Sequence, residues 1–350
     1  MTNELGGAVS HCFYVAGMTE DEHGGIFRCQ YDEKGACVLK FTPLRRTLFL
    51  TWGKGKKTLY GSMQQGGDGG VAAYRVETDG ALRFLNQISV SGKSVCSLAL
   101  SPDGKFLYSA NYVSSNFSEI QLETDGSLAE LRQVVSHEGC GTDPEEQSCA
   151  HPHCCGFTPD EKYLFVVDLG VDKIFLYPYT PGAGIDSAHP LRTSIEPAGS
   201  GPRQLIFDQS GSIAYVISEL GNTVHSFRYE AGHFTLIQRI STLPPDYRGI
   251  NAAAAIRLSD DQRYLLASNR GHDSLAVFRL DGQGEMQLEK HIPVCGKSPR
   301  DFNFLPQAKC LAVTNESSDE VRFFTFDWDF SSVLLQSASL TLPRPLCVLE

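Results

Sequence analysis

The chain has 350 residues, 41% of them hydrophobic, and a formal net charge of −11, enough apolar material for one large domain or two modest ones. No apolar run reaches the ~18 residues of a membrane-spanning helix, and an acidic chain without a long Lys/Arg run suits neither nucleic acid nor an anionic membrane as partner. The opening MTNELGGAVSHCFYVAG lacks a basic and an apolar leader region, and the eleven cysteines are irregularly spaced without a CxxC pair, so the sequence predicts a cytoplasmic protein whose reduced thiols pack mostly as small core residues.

In chain order, one pattern recurs. HCFYVAGMT (11–19) supplies the second half of a hairpin and GKGKKTLYGSMQQ (53–65) a weak whole copy. Clearer copies are SPDGKFLYSANY (101–112), TPDEKYLFVVDLG (158–170), DQSGSIAYVISELG (208–221), SDDQRYLLASNRG (259–271) and LPQAKCLAVTNES (305–317). Their central residues, Tyr14, Tyr60, Tyr108, Phe165, Tyr215, Leu266 and Ala312, are separated by 46, 48, 57, 50, 51 and 46 residues. Each hairpin is followed by a third apolar run, such as Lys173–Tyr177 or Ser274–Phe278, and by a fourth after a Gly-containing turn, as in His233–Ile237. Short β-branched and aromatic runs bounded by Asp-Gly, Ser-Gly and Pro-Asp turns read as strands. The sequence therefore predicts an all-β fold: a single domain over 1–350, a seven-bladed β-propeller with four-stranded antiparallel blades. The Gly-His…Trp-Asp signature of WD40 chains is absent. The C-terminal run 343–349 reads as a first strand without a hairpin partner and Cys12–Val15 as a second strand without a first, so the two are expected to pair and close the ring.

Topology then sorts the polar residues. In each hairpin the first strand leaves one rim and the second returns to it, so first-strand starts and second-strand ends meet around one channel mouth. The starts supply His153, Arg203, Asn251 and Arg300; the ends supply Asn111, Asp168, Glu219, Arg270 and Glu316. The opposite face carries ordinary turns such as Asp103-Gly104 and Asp260-Asp261. Imidazole, carboxylates and guanidiniums on one rim suit the binding of an anion and the movement of a proton; the alternative is that they merely satisfy one another and water.

HPHCCGFTPDEKYLFVVDLGVDKIFLY, GSGPRQLIFDQSGSIAYVISELGNTVHSF, the NRGHD stretch and GKSPRDFNF resemble the lactonase family of seven-bladed propellers. That family includes propeller-type bacterial 6-phosphogluconolactonases and fungal carboxy-cis,cis-muconate cyclases. The resemblance covers nearly the whole chain and is strongest from about 150 to 330. Through its cyclase branch it implies an active-site set of His153, Arg203 of GPR, Glu219 of SEL and Arg270 of NRG, all four already on the rim. His151, Asp168, Asn251, His272 and Arg300 are the expected substrate-binding neighbours. The chain departs from the bacterial pattern at Gln204, at Val95-Cys96-Ser97 and at Ala255, where polar residues are common in the family, and these positions bear on substrate choice.

The resemblance implies hydrolysis of a small anionic lactone or sugar phosphate, foremost 6-phosphogluconolactone in the oxidative pentose phosphate route. His153 and Glu219 are the expected proton-transfer pair, and Arg203 and Arg270 the anion and oxyanion binders. The other readings are a muconate-type lactonizing cycloisomerase and a propeller that binds without catalysis. No cofactor is expected; a divalent ion held by His151, His153, Asp168 and Glu219 is the lesser alternative. Zinc on Cys149, Cys154 and Cys155 is disfavoured, because adjacent strand residues face opposite ways. Cys154 and Cys155 are expected to pack, and Cys149 is the candidate reactive thiol. His11, His137, His189, His225, His233 and His291 are expected as surface or strand residues. Loop 136–150 is expected over the mouth as a lid, and loop 244–251 to offer Tyr247 or Arg248 to it.

Overall fold

A computed structural model describes residues 11–305, 309–327 and 330–350; the leader reading of residues 1–10 and the turn 306–308 of the last repeat lie outside them. Seven antiparallel sheets form, in chain order, from strands beginning at Leu50, Val95, Pro152, Pro202, Ala252 and Pro299, with the seventh assembled from both ends of the chain. Each is a four-stranded blade, and the blade starting at Pro152 carries an extra short strand, Gly184–Ile185. The fold is the seven-bladed β-propeller that the repeat predicts.

Burial explains why these sequences become these strands. The second strands are sandwiched between neighbouring blades and read as continuous apolar runs: Phe106–Asn111 and Ile213–Ser218 are buried at every position. The outer strands have one wet face and alternate, as Leu128–Ser136 does, the period-two signature of a half-exposed sheet. Side chains between blades form the core. Tyr108 and Phe117 of one blade pack with Phe175 and Tyr177 of the next, each such ring stabilising the fold by roughly 1.5–3 kcal/mol. The Tyr108 hydroxyl donates to Glu119 Oε2 at 2.7 Å, and the same oxygen accepts from the Ile185 amide at 3.0 Å. This buried carboxylate thus anchors the extra strand.

The ring closes as predicted. Tyr14, Val15 and Ala16 pair with Leu349, Val348 and Cys347, so His11–Gly17 takes Pro345–Leu349 as its inner neighbour. The pairing covers the inner edge of His11–Gly17 and leaves Pro345–Leu349 as the innermost strand of that blade, the place that first strands take in the other six.

Candidate active site

A repeated irregularity of the innermost strands builds the site. Register slips by one residue between Val95 and Ser97, Pro152 and Cys154, Pro202 and Gln204, and Pro299 and Asp301, and again where Ala16–Cys347 gives way to Gly17–Pro345. The skipped residues are Cys96, His153, Arg203, Arg300 and Leu346. A bulge leaves its extra residue out of the ladder and re-aims its side chain; all five line one space in the channel, together with Ala255, Arg257 and Asp301. Four of these five strands begin with proline, which cannot donate to a ladder and belongs at a strand start or bulge. The enclosed space measures about 40 Å³, room for a water or two. A ligand larger than that would sit at the open mouth, with the bulged side chains as its floor. A larger cavity, about 700 Å³, lies on the opposite face among Lys54, Lys57, Arg75 and Lys105, away from this chemistry.

Four of the predicted residues meet. Glu219, just past the end of its strand, is held by its amide, which donates to the Gly201 carbonyl at 2.7 Å. Its Oε1 lies 2.7 Å from Arg270 Nη2 and its Oε2 2.8 Å from Arg203 Nε. The second contact is an ion pair without the alignment of a hydrogen bond. His153 Nε2 lies 4.0 Å from Oε2. Arg203 Nη1 donates to the Ala254 carbonyl at 2.7 Å, and Arg270 Nε to that of Ala252 at 3.3 Å. Three successive blades thus deliver one imidazole, one carboxylate and two guanidiniums to a single point.

Electrostatics assigns their protonation. Burial alone would raise the Glu219 carboxyl, but the charges of Arg270 and Arg203 overcome it and hold it at about 2. Burial, reinforced by Arg203 and Arg300, pushes His153 well below the ordinary histidine value, with Glu219 opposing. His153 is therefore neutral near pH 7, and the two guanidiniums, rather than the imidazole, set the acidity of Glu219. Burial also brings Arg203 down to about 10, still protonated.

The remaining predicted residues divide by register. Counting from the central residue of each repeat, the third position holds Asn111, Asp168, Ser218, Asn269 and Asn315, all fully buried. The fourth holds Tyr112, Leu169, Glu219, Arg270 and Glu316. Asn111 and Asp168 were expected on the rim with Glu219, yet they sit one residue short of its row, and a shift of one residue turns a side chain to the other face of the sheet. Asn111 instead donates to Asn116 Oδ1 and Ser118 Oγ. Asp168 Oδ1 accepts from the amides of His151 and Gly170 at 2.7 and 3.0 Å, and its Oδ2 contacts His137 Nδ1 at 2.6 Å. Asp168 positions a loop, both of its oxygens being engaged by protein groups. His137, expected as a surface or strand residue, is buried in this network, with Nε2 2.8 Å from the Tyr177 hydroxyl.

Arg300 stands beside the set, 3.5 Å from Glu316, which Arg344 holds more closely at 2.6 Å. Asn251 donates to Asn222 Oδ1 at 2.6 Å and accepts from the His272 amide at 2.9 Å; His272 turns its Nδ1 to Ser274 Oγ at 2.6 Å. These two shape the rim next to Arg270. His151 stacks on Tyr112 at 4.3 Å, and the same Tyr112 ring meets His153 edge-on at 5.5 Å. Tyr112 was missed, although it follows Asn111 in the row that supplies Glu219. Also missed were Arg257 and Asp301, paired at 2.7 Å in the channel, with Asp301 Oδ2 accepting from the closing strand at Val348. Both cysteines pack as expected: Cys155 is buried in one inter-blade core, and the half-buried Cys154 packs against the next while also lining the channel. Loop 136–150 is pinned by the buried Gln147, which accepts from the Thr142 amide and donates to the Leu169 carbonyl. Arg248 bonds carbonyls of its own loop, and Tyr247 packs edge-on against His272 at 4.8 Å.

A seven-bladed propeller with a carboxylate clamped by arginines beside a neutral histidine at its channel mouth defines a class of enzyme scaffold. Residues 12–350 match the model of the lactonase, 7-bladed beta-propeller family, and the chain belongs to that family. It is 32% identical over 342 residues to a 6-phosphogluconolactonase of Bacillus subtilis, spanning 96% of this chain and 97% of that one. The periplasmic gluconolactonase PpgL of Pseudomonas aeruginosa superposes with a TM-score of 0.90 at 30% identity, over 97% of this chain and 98% of that one. A putative 6-phosphogluconolactonase of Bacteroides fragilis does so with a TM-score of 0.90 at 27% identity, over 99% of both chains. Among the described residues no helix is long and apolar enough to cross a membrane.

Proposed function

We propose that the protein hydrolyses a small anionic lactone, with 6-phosphogluconolactone as its substrate. The observation that carries this reading is Glu219, ionised between Arg203 and Arg270 with His153 4.0 Å away. A carboxylate held at about 2 is a weak base, so the neutral His153 takes the proton from the attacking water. Glu219 then stabilises the imidazolium and fixes the two arginines. The tetrahedral oxyanion forms against Arg203 and Arg270, and collapse expels the ring alkoxide, which takes its proton back from His153. Arg300, whose 3.5 Å contact to Glu316 is longer than the arginine–carboxylate contacts of Arg203, Arg257 and Arg270, is assigned the substrate's phosphate, since a planar guanidinium offers it paired donors. Acid–base catalysis contributes about 10²–10⁴-fold and an oxyanion donor about 10²–10³-fold, sufficient for an activated ester without a covalent nucleophile.

The eleven unpaired cysteines support a reducing, cytosolic setting, in keeping with a place in the oxidative pentose phosphate route. A dehydrogenase-coupled assay on freshly made 6-phosphogluconolactone, with spontaneous hydrolysis subtracted, tests the reading, with glucono-1,5-lactone as the phosphate-free control. Wild-type protein should exceed background on the phosphorylated lactone, and His153→Ala should lose about 10²-fold or more. Background rates on both lactones would overturn the hydrolase; equal kcat/KM on the two would overturn the role of phosphate.

A further inference from the structure

Ahead of His153 in the chain lies a second constellation, which takes no step in the hydrolysis proposed above. Cys149 Sγ is 3.6 Å from His151 Nε2. His151 Nδ1 is 2.8 Å from the Tyr112 carbonyl oxygen, a partner that only accepts, so Nδ1 carries the ring proton and Nε2 turns its lone pair to the thiol. A base whose far nitrogen is fixed by an acceptor is the arrangement that activates a nucleophilic side chain.

The surroundings hold this geometry firmly. The His151 amide donates to the buried Asp168, which His137 and the Gly170 amide hold in turn. The Tyr112 ring stacks on the imidazole with an interplanar angle of 11°. Gly170 packs so closely beneath the loop that a Cβ there would run into the Cys149 carbonyl and the His151 amide. Cys149 is half-buried, whereas Cys140 and Cys295 are exposed and neither has an imidazole against its sulfur among the described contacts.

We propose that Cys149 and His151 form a nucleophile–base dyad that makes Cys149 a preferred site of covalent modification by small soft electrophiles and hydroperoxides. With a hydroperoxide, the thiol proton passes to His151 Nε2 and sulfur attacks one peroxide oxygen. The O–O bond breaks, and the departing oxygen takes the proton from the imidazolium and leaves as water or an alcohol. Sulfur is oxidised to the sulfenic acid and the peroxide is reduced. With a haloacetamide, an S–C bond forms and halide leaves.

The test treats the full-length protein with limiting iodoacetamide at pH 7 and follows each cysteine peptide by mass spectrometry. Cys149 should label about tenfold faster than Cys140 and Cys295 despite lower exposure, because His151 Nε2 stands 3.6 Å from its sulfur to take the thiol proton as attack proceeds. His151→Gln should remove that advantage while the rates of Cys140 and Cys295 stay put, which also reports that the fold is intact. Cys149 labelling no faster than the exposed thiols in wild type, or equally fast in His151→Gln, would overturn the dyad. A hydrogen peroxide arm with a dimedone-type sulfenic acid trap should mark Cys149 ahead of Cys140; the reverse order would overturn the peroxide reaction. None of these readouts requires lactonase activity, so the dyad and the hydrolase reading can fail separately.

Discussion

Replacing Glu219 by glutamine keeps the shape of the side chain and removes one negative charge from between two guanidiniums. The folded protein holds this carboxyl at about 2 against an ordinary 4.5, which at ~1.36 kcal/mol per pH unit favours the folded state by roughly 3 kcal/mol at neutral pH. Because the folded value is the lower one, this stabilisation is present above pH 4.5 and is lost as pH falls toward 2, where both states bind the proton. Glutamine does not titrate. The gap between wild type and Glu219→Gln in urea unfolding should therefore be roughly 3 kcal/mol at pH 7 and shrink by about half or more by pH 3. Breaking a buried pair by removing one partner costs about 3–5 kcal/mol in general, which agrees. A gap that stays constant from pH 7 to pH 3, or one below about 1 kcal/mol at pH 7, would refute the claim that the two arginines lock the carboxylate.

Further outcomes follow from the same geometry. Since burial, Arg203 and Arg300 push His153 well below 6.5, kcat/KM for lactone hydrolysis should remain on its plateau as pH falls through 6.5; Arg300→Gln should move the acid limb toward neutrality, and a wild-type limb centred at 6.5 or above would contradict the assignment of His153 as a neutral base. Arg203→Ala should lower kcat/KM by about 10²-fold or more, read in the coupled assay with background subtracted. Asp168→Asn should destabilise the protein by about 1–3 kcal/mol in urea unfolding, because the amide cannot accept on both edges from His137 and the two backbone amides. Tyr108→Phe should cost a similar amount by removing a donor from the buried Glu119, and an unchanged midpoint would show that this carboxylate is satisfied without it.

The number of blades and the closure of the ring were legible because strands carry their environment in a period of two and turns carry it in composition; the topology then put His153, Arg203, Glu219 and Arg270 on one rim among others, and the family resemblance singled them out. Bulges have no such signature. A single extra residue in Pro152–Phe157 or Pro202–Phe207 leaves the apolar count unchanged, and only the leading proline hints at it; yet the bulge is what aims His153 and Arg203 into the channel. Arg257 and Asp301 were invisible for a related reason, since a charged residue inside an inner strand reads as channel wall until register gives it a partner. Asp168 and Glu219 show how fine the distinction is. Both are carboxylates near the end of a second strand, in successive blades, and both look like rim groups. Asp168 pairs across from Pro152, at the position Ser218 occupies across from Pro202, so its short side chain meets the amides of its own blade's loop and becomes part of the frame. Glu219 stands one residue further on, facing the other way, and its longer chain reaches guanidiniums from its own blade and the next. One step in register, rather than residue type, separates the acid that supports the Cys149–His151 loop from the acid that organises the mouth.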